Sequence, residues 1–247
     1  MHIVIDNILI NLEILKNANA SKYLVILHGW QRSLKEWKPI ARKMPKYNIL
    51  LVDLPGFGFS SPPPKPFDNY DYARIIIKLL RKLKIRKYVL LGHSSGGRVA
   101  AIISVLKPRD AAKLILVSSA GLIDTRFKNS ALKKIGGLSP ILNILPSAIA
   151  EKIKNAFGSS DYRASKNLKK TFIKVVNQDL TSVFSKISAQ TLIIWGEQDK
   201  VLPVNQAKIL KNLVQKSKLR IVWGTGHNPH LENSEEFIKI LEEENIL

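Results

Sequence analysis

Tyr88-Val89-Leu90-Leu91-Gly92-His93-Ser94-Ser95-Gly96-Gly97 decides how the rest of the chain is read. Its first four residues form a short apolar run, as expected of a strand buried on both faces of a parallel sheet. From Ser95 to Leu106 the apolar positions switch to three- and four-residue spacing, which marks a helix. The chain therefore reverses direction within a few residues. A turn that sharp holds Ser94 in a strained backbone conformation and would drive the residues two before and two after it into collision. Gly92 and Gly96 avoid this by lacking side chains. Gly97 lets the helix lie close to neighbouring strands. As a bare pattern G-x-S-x-G arises by chance; between a buried strand and a helix it presents a serine hydroxyl at the edge of a sheet.

The same rhythm extends in both directions. Short apolar runs at Tyr23–Leu27, Ile49–Val52, Leu114–Val117, Thr191–Trp195 and Leu219–Trp223 are predicted strands. Helical spacing marks Leu34–Met44, Tyr70–Leu83, Val204–Leu213 and Ser234–Leu241, the last opened by an Asn233 or Ser234 cap and two glutamates. Strand alternating with helix gives a doubly wound, mostly parallel sheet. The first fifteen residues differ: Ile3, Ile5, Ile8, Ile10, Leu12 and Ile14 alternate around a turn at Asn7, which predicts an antiparallel hairpin. About seventy residues between Val117 and Thr191 carry helical patterns and no strong strand. A loop of that length is implausible in a compact domain, so the division is a core of residues 1–119 and 189–247 with a helical cap subdomain at 120–188.

Composition sets limits. The 247 residues are 45% hydrophobic and 23% charged, which argues against disorder, and enough to bury a core without staples. The absence of cysteine excludes a disulfide framework, an iron–sulfur cluster, a Cys-ligated zinc site and a thiol nucleophile. No basic leader precedes an apolar run, and no run approaches the ~20 residues of a membrane helix. The chain is expected to be soluble and cytoplasmic. The 39 basic against 19 acidic residues give a net charge of +20. The basic residues are dispersed, mostly lysine and not interleaved with aromatic or glycine-rich nucleic-acid signatures, so no nucleic-acid partner is expected. A stripe of Arg74, Lys78, Arg81 and Lys82 reads first as a solvated helix face.

A serine hydroxyl needs a base to become a nucleophile. Five histidines are available, and His227 directly follows the last predicted strand in Gly224-Thr225-Gly226-His227. That places it on the same carboxyl edge as Ser94. His230, after Pro229, reads as a packing or capping residue. An orienting acid should come from another strand end, and Asp199 lies in the turn after Thr191–Trp195; Glu197 and, further off, Asp124 compete with it. The expected oxyanion donors are the backbone N–H of Ser95, at a helix N-terminus, and of Trp30, in the His28-Gly29-Trp30 loop. His28 is expected to be structural. His227-Asn228-Pro229-His230 suggests metal ligands, but no third ligand is apparent and Pro229 argues against a regular helix, so neither metal nor cofactor is expected.

His28-Gly29-Trp30, Asp53-Leu54-Pro55-Gly56-Phe57-Gly58-Phe59-Ser60, Gly92–Gly97, Gly196–Asp199 and Gly226-His227 together resemble the α/β-hydrolase superfamily along essentially the whole chain. The resemblance implies an α/β-hydrolase fold of about eight strands with a helical cap, and a triad of Ser94, Asp199 and His227. It implies a structural role for the turn at Asp53. Ser94 speaks against the haloalkane dehalogenases and epoxide hydrolases of this fold, which use aspartate there. Gln31 stands where many relatives have glycine, which predicts a differently shaped oxyanion loop.

The resulting reading is a serine hydrolase acting on a small-molecule acyl substrate: an ester, lactone or thioester. A C–C bond hydrolase and a non-catalytic binding scaffold of the same fold are the alternatives. The expected cap carries 12 Lys/Arg against 4 Asp/Glu, which favours an anionic acyl group if those charges face the cleft. Tyr162-Arg163-Ala164-Ser165-Lys166 and Ser130-Ala131-Leu132-Lys133 match short catalytic patterns of other folds without their context.

Overall fold

The computed structural model describes residues 1–122 and 166–246. Eight strands form one sheet: β1 (His2–Ile5), β2 (Ile8–Leu15), β3 (Lys22–Leu27), β4 (Tyr47–Val52), β5 (Tyr88–His93), β6 (Ala111–Val117), β7 (Gln190–Gly196) and β8 (Ser217–Val222), in the order β1-β2-β4-β3-β5-β6-β7-β8. β1 and β2 pair antiparallel, as do β2 and β4; the rest of the sheet is parallel. The hairpin turns at Asp6 and Asn7, with φ +47° and +62°. Two successive left-handed residues suit the right-handed twist of a two-stranded ribbon, and asparagine and aspartate tolerate them.

The helices are α1 (Lys38–Ala41), α2 (Asn69–Lys82), α3 (Ser95–Leu106), α4 (Lys169–Asn177), α5 (Thr181–Phe184), α6 (Asn205–Leu213), α7 (Pro229–Glu232) and α8 (Ser234–Glu243). Alternate strand residues feed two cores. Val25, Leu27, Leu50, Leu90, Leu114 and Trp195 pack with α2, α3 and α6 on one face. Leu24, Ile26, Leu51, Leu91, Ile115 and Ile194 pack on the other face with Trp37, Ile40, Phe237 and Leu241 from α1, α8 and the turn before α1. Each fully buried aliphatic or aromatic side chain contributes about 1.5–3 kcal/mol. Burial on both faces is why these strands read as unbroken apolar runs.

Two boundaries differ from the sequence reading. The helix predicted over Leu34–Met44 is a 3₁₀ turn at Leu34–Trp37 followed by the four-residue α1. Pro39 has no N–H to give and fits only the first turn of a helix, so it forces a new start. The last strand ends at Val222, and Trp223 is 75% exposed. The N-cap of α8 is Asn233, whose side chain accepts from the Glu236 N–H at 3.1 Å.

Most of the expected cap, with Asp124 and the Ser130–Lys133 and Tyr162–Lys166 motifs, lies outside or at the edge of the described residues. Where the chain returns, Phe172, Val175, Leu180, Val183, Phe184 and Ile187 are buried against the core. Arg98 of α3 fixes this return. Its buried guanidinium donates to the carbonyls of Val175 (2.8 Å) and Gln178 (3.2 Å). Burial pushes its pKa down to about 10, partly offset by Asp179, and it stays charged at neutral pH. Three of the four cations of the stripe on α2 are engaged within the chain: Arg74 pairs with Asp71 at 2.7 Å, Lys78 with Asp6, and Lys82 donates to the Val4 carbonyl at 3.1 Å.

Candidate active site

Ser94 follows the last residue of β5 and precedes the first of α3, with φ +50° and ψ −114°. A non-glycine residue there is strained by about 1–3 kcal/mol. The surroundings enforce it: the Ser94 N–H donates to Val117 O at 3.0 Å, and Ser94 O accepts from Gly97 and Ala120 at 3.0 and 3.1 Å. The close approach predicted for the flanking glycines is present. A Cβ on Gly96 would stand 2.3 Å from Leu27 O, and one on Gly92 would stand 2.5 Å from Gly96 O. Because both obstacles are backbone, any side chain would open the turn.

The loop after β3 lies against this turn. A Cβ on Gly29 would meet Ser94 Cβ at 3.4 Å and His93 Nδ1 at 2.9 Å. Gln31 takes φ +57°, the left-handed conformation that a glycine would adopt freely. The Trp30 ring is held edge-on to Phe57, centroids 4.8 Å apart, and packs on Phe172 at 5.2 Å. His28 is completely buried beneath the loop. Its Nε2 accepts from the Leu54 N–H at 3.0 Å, so Nδ1 carries the proton and donates to Gly29 O at 2.7 Å. Burial lowers its pKa and keeps it neutral. The buried Asp53 carboxylate accepts from Asn11 Nδ2, the Leu34 N–H and the Phe59 N–H at 2.7, 2.7 and 3.0 Å, as a structural turn requires.

On the far side of the site, Asp199 and His227 meet. Asp199 Oδ2 is 2.8 Å from His227 Nδ1, with the carboxylate side chain fully buried and the imidazole 15% exposed. The other oxygen, Oδ1, accepts from the N–H groups of Val201 (2.9 Å) and Leu202 (2.8 Å). An ionised carboxylate only accepts, so Nδ1 of His227 carries the proton and Nε2 keeps its lone pair. Gly196, at the end of β7, makes the meeting possible. A Cβ there would stand 1.9 Å from Gly226 O.

Three contacts that the sequence did not disclose hold the His227 backbone. Glu232 accepts from the N–H groups of Gly226 (2.5 Å) and Asn228 (3.0 Å), which flank it. His93 Nε2 lies 3.0 Å from His227 O. Burial, together with His230 and His227, holds the His93 pKa well below the usual range. His230 stacks on Trp37, rings 4.0 Å apart and 2° from parallel; burial, Arg32 and His227 push its pKa down to about 3. Contrary to the sequence reading, Pro229 begins a short helix as its first residue and carries His230 inward. The i-to-i+5 spacing of His227 and Glu232 was the available signal for the backbone clamp. No comparable pattern points to Glu36.

Comparison with known proteins agrees with this architecture. The model of the alpha/beta hydrolase family matches residues 24–240. The chain belongs to the alpha/beta hydrolase family. It is 28% identical over 228 residues to the uncharacterized hydrolase YugF of Bacillus subtilis (strain 168), covering 83% of this chain and 82% of that protein. It is 27% identical over 251 residues to the monoacylglycerol lipase ABHD6 of Mus musculus, covering 88% of this chain and 74% of that protein. A crystal structure of a bacterial membrane phospholipase A shares the fold, with a TM-score of 0.78 at 23% identity over 98% of this chain and 84% of that one. No helix among the described residues is long and apolar enough to cross a membrane.

Proposed function

We propose that this hydrolase cleaves carboxylic esters, lactones or thioesters through an acyl-enzyme formed on Ser94. The observation that carries the reading is the 2.8 Å Asp199–His227 pair, set on the same sheet edge as a serine at φ +50°. Esterolytic relatives such as the mouse monoacylglycerol lipase support the substrate class.

Asp199 fixes the imidazole with its proton on Nδ1, so Nε2 takes the Ser94 proton as Oγ attacks the acyl carbon. Charge develops on the carbonyl oxygen. The N–H of Ser95, in the first turn of α3, and that of Trp30, in the loop braced by Phe57 and Phe172, are the donors assigned to it. The imidazolium returns the proton to the leaving alkoxide or thiolate. Water then enters, loses a proton to His227 and releases the acid from Ser94 along the same path. No metal or cofactor is assigned a part. The cap, at 120–188, is assigned the choice of acyl group in this reading, and its 12 lysines and arginines favour an anionic acyl chain if they face the cleft.

Turnover of a p-nitrophenyl ester series from acetate to decanoate, wild type beside Ser94→Ala, tests this. Ser94-dependent hydrolysis is expected, with a chain-length profile that reports pocket depth, together with Ser94-dependent labelling by a fluorophosphonate. Labelling that persists in a folded Ser94→Ala protein overturns the assignment. Failure of the wild type both to turn over and to label favours a binding scaffold.

A further inference from the structure

Beside the Asp199–His227 pair lies a second constellation that the proposed reaction does not use. Glu36 comes from the 3₁₀ turn before α1, His93 from the last position of β5, and His230 from α7. One ligand atom from each lies within 4.8 Å of the others. Glu36 Oε1 is 3.8 Å from His93 Nδ1 and 3.8 Å from His230 Nε2, too far for hydrogen bonds.

These atoms make no hydrogen bonds. Nine buried side-chain polar atoms among the described residues make no hydrogen bond, and six of them belong to Glu36, Trp37, His93 and His230. An unsatisfied buried polar atom costs about 1–3 kcal/mol, so six in one place call for an occupant. The hydrogen bonding says of what sign. His93 Nε2 faces a carbonyl, which only accepts, so Nε2 carries the proton and Nδ1 presents a lone pair to the cluster. The Glu36 carboxylate presents lone pairs toward the same point. With the His230 proton on Nδ1, its Nε2 adds a third lone pair to those of Glu36 Oε1 and His93 Nδ1, and three converging lone pairs are satisfied by a cation.

We propose that Glu36, His93 and His230 bind one divalent first-row transition ion of the Zn²⁺ class. Two imidazoles and one carboxylate are a familiar donor set for such ions, and the three side chains must draw together to reach bond lengths of about 2.0–2.2 Å. The His93 Nε2–H to His227 carbonyl bond is the outer contact that orients a ligating imidazole. An ion there ties together three segments: the turn following the Trp30 loop, the strand end before Ser94, and the His227 loop. It acts by positioning, without touching substrate. Arg32 works against it. Its Nε is 3.6 Å from Glu36 Oε2, on a side chain 47% exposed, and its charge repels an ion from the same carboxylate.

The untagged full chain, stripped with a chelator, is titrated with Zn²⁺ and Co²⁺. The expected result is one ion per chain retained through gel filtration, a visible Co²⁺ spectrum, and a Tm rise of about 5–10 °C with free Zn²⁺ a hundredfold above Kd. Glu36→Gln and His230→Phe each weaken binding by about a hundredfold or more, Arg32→Ala tightens it several-fold, and His227→Ala leaves it intact. No uptake and no Tm shift in the wild type overturn the proposal, with buried water then serving the orphaned atoms. Binding that survives Glu36→Gln and His230→Phe but is lost in His227→Ala also overturns it, by placing the ion on the Asp199–His227 pair.

Discussion

Replacing Asp199 by asparagine separates proton placement from folding. The side chain has two jobs in the structure: Oδ1 accepts from the Val201 and Leu202 N–H groups, and Oδ2 accepts from His227 Nδ1. Asparagine keeps one oxygen. Turning its NH₂ toward two backbone donors would leave three donors facing one another in a fully buried position, so the oxygen stays on the amides and the NH₂ points at His227. The ring then accepts at Nδ1 and carries its proton on Nε2, where it can no longer receive one from Ser94. By analogy with serine proteases kcat falls about 10⁴-fold, equivalent to about 5.5 kcal/mol of barrier. Because both amides remain satisfied, Tm should stay within about 5 °C of wild type; Asp199→Ala, which orphans them, should cost about 2–4 kcal/mol in stability. Steady-state kinetics on the best p-nitrophenyl ester, with thermal unfolding alongside, measures both. A folded Asp199→Asn enzyme within tenfold of wild-type kcat would refute the claim that this carboxylate sets the His227 tautomer.

Gly196→Ala places a methyl against the backbone oxygens of Gly226 and Thr225, forcing the His227 loop away from β7; kcat should fall about 10²-fold or more with KM less affected, and wild-type kinetics would mean the loop yields freely. Arg98→Met removes the charged donor to Gln178 O and one of the donors to Val175 O, which also bonds Asn69, and should lower stability by about 1.5–3 kcal/mol in urea unfolding. Stability should also depend on pH through His28. Burial lowers its folded pKa beneath an unfolded value near 6.5, so the unfolded chain binds the proton first. The contribution of neutral His28 is complete above about pH 6.5 and declines as pH falls toward the folded pKa, by up to about 1.4 kcal/mol per unit. Urea midpoints at pH 7, 6 and 5 should flatten by that amount in His28→Asn; an unchanged slope would show that His28 does not titrate on unfolding.

The fold was legible because its strands are buried on both faces. Leu24 and Ile26 face one core, Val25 and Leu27 the other, and selection against polar residues on either side leaves runs that no surface strand shows. The hairpin was legible for the opposite reason. Ile8 and Ile10 are buried while Leu9 is 37% exposed, which preserves alternation at a sheet edge. Helix boundaries were legible only where a local residue sets them. Ser95 starts α3 because the turn before it ends there, whereas Leu34–Met44 carries apolar spacing across a Pro39 that resets the backbone.

The site divides along the same line. Ser94, Asp199 and His227 could be singled out as candidates because each follows a strand, and parallel strands deliver their carboxyl ends to one edge whatever their distance along the chain. Glu36 could not be named. Its meeting with His93 and His230 depends on how a 3₁₀ turn, a strand end and a four-residue helix pack, and nothing in its neighbours distinguishes it from a solvated glutamate. Gln31 shows a third situation, in which residue type and backbone conformation disagree. It stands where many relatives have glycine and takes φ +57°, the left-handed conformation that glycine adopts freely, at a strain of roughly 1–2 kcal/mol. A Cβ on Gly29 would stand 2.9 Å from His93 Nδ1 and 3.4 Å from Ser94 Cβ, so the loop lies closer to the turn than a side chain would allow. The close approach at Gly29 constrains the loop two residues before Gln31, and the identity of Gln31 sets what its left-handed conformation costs.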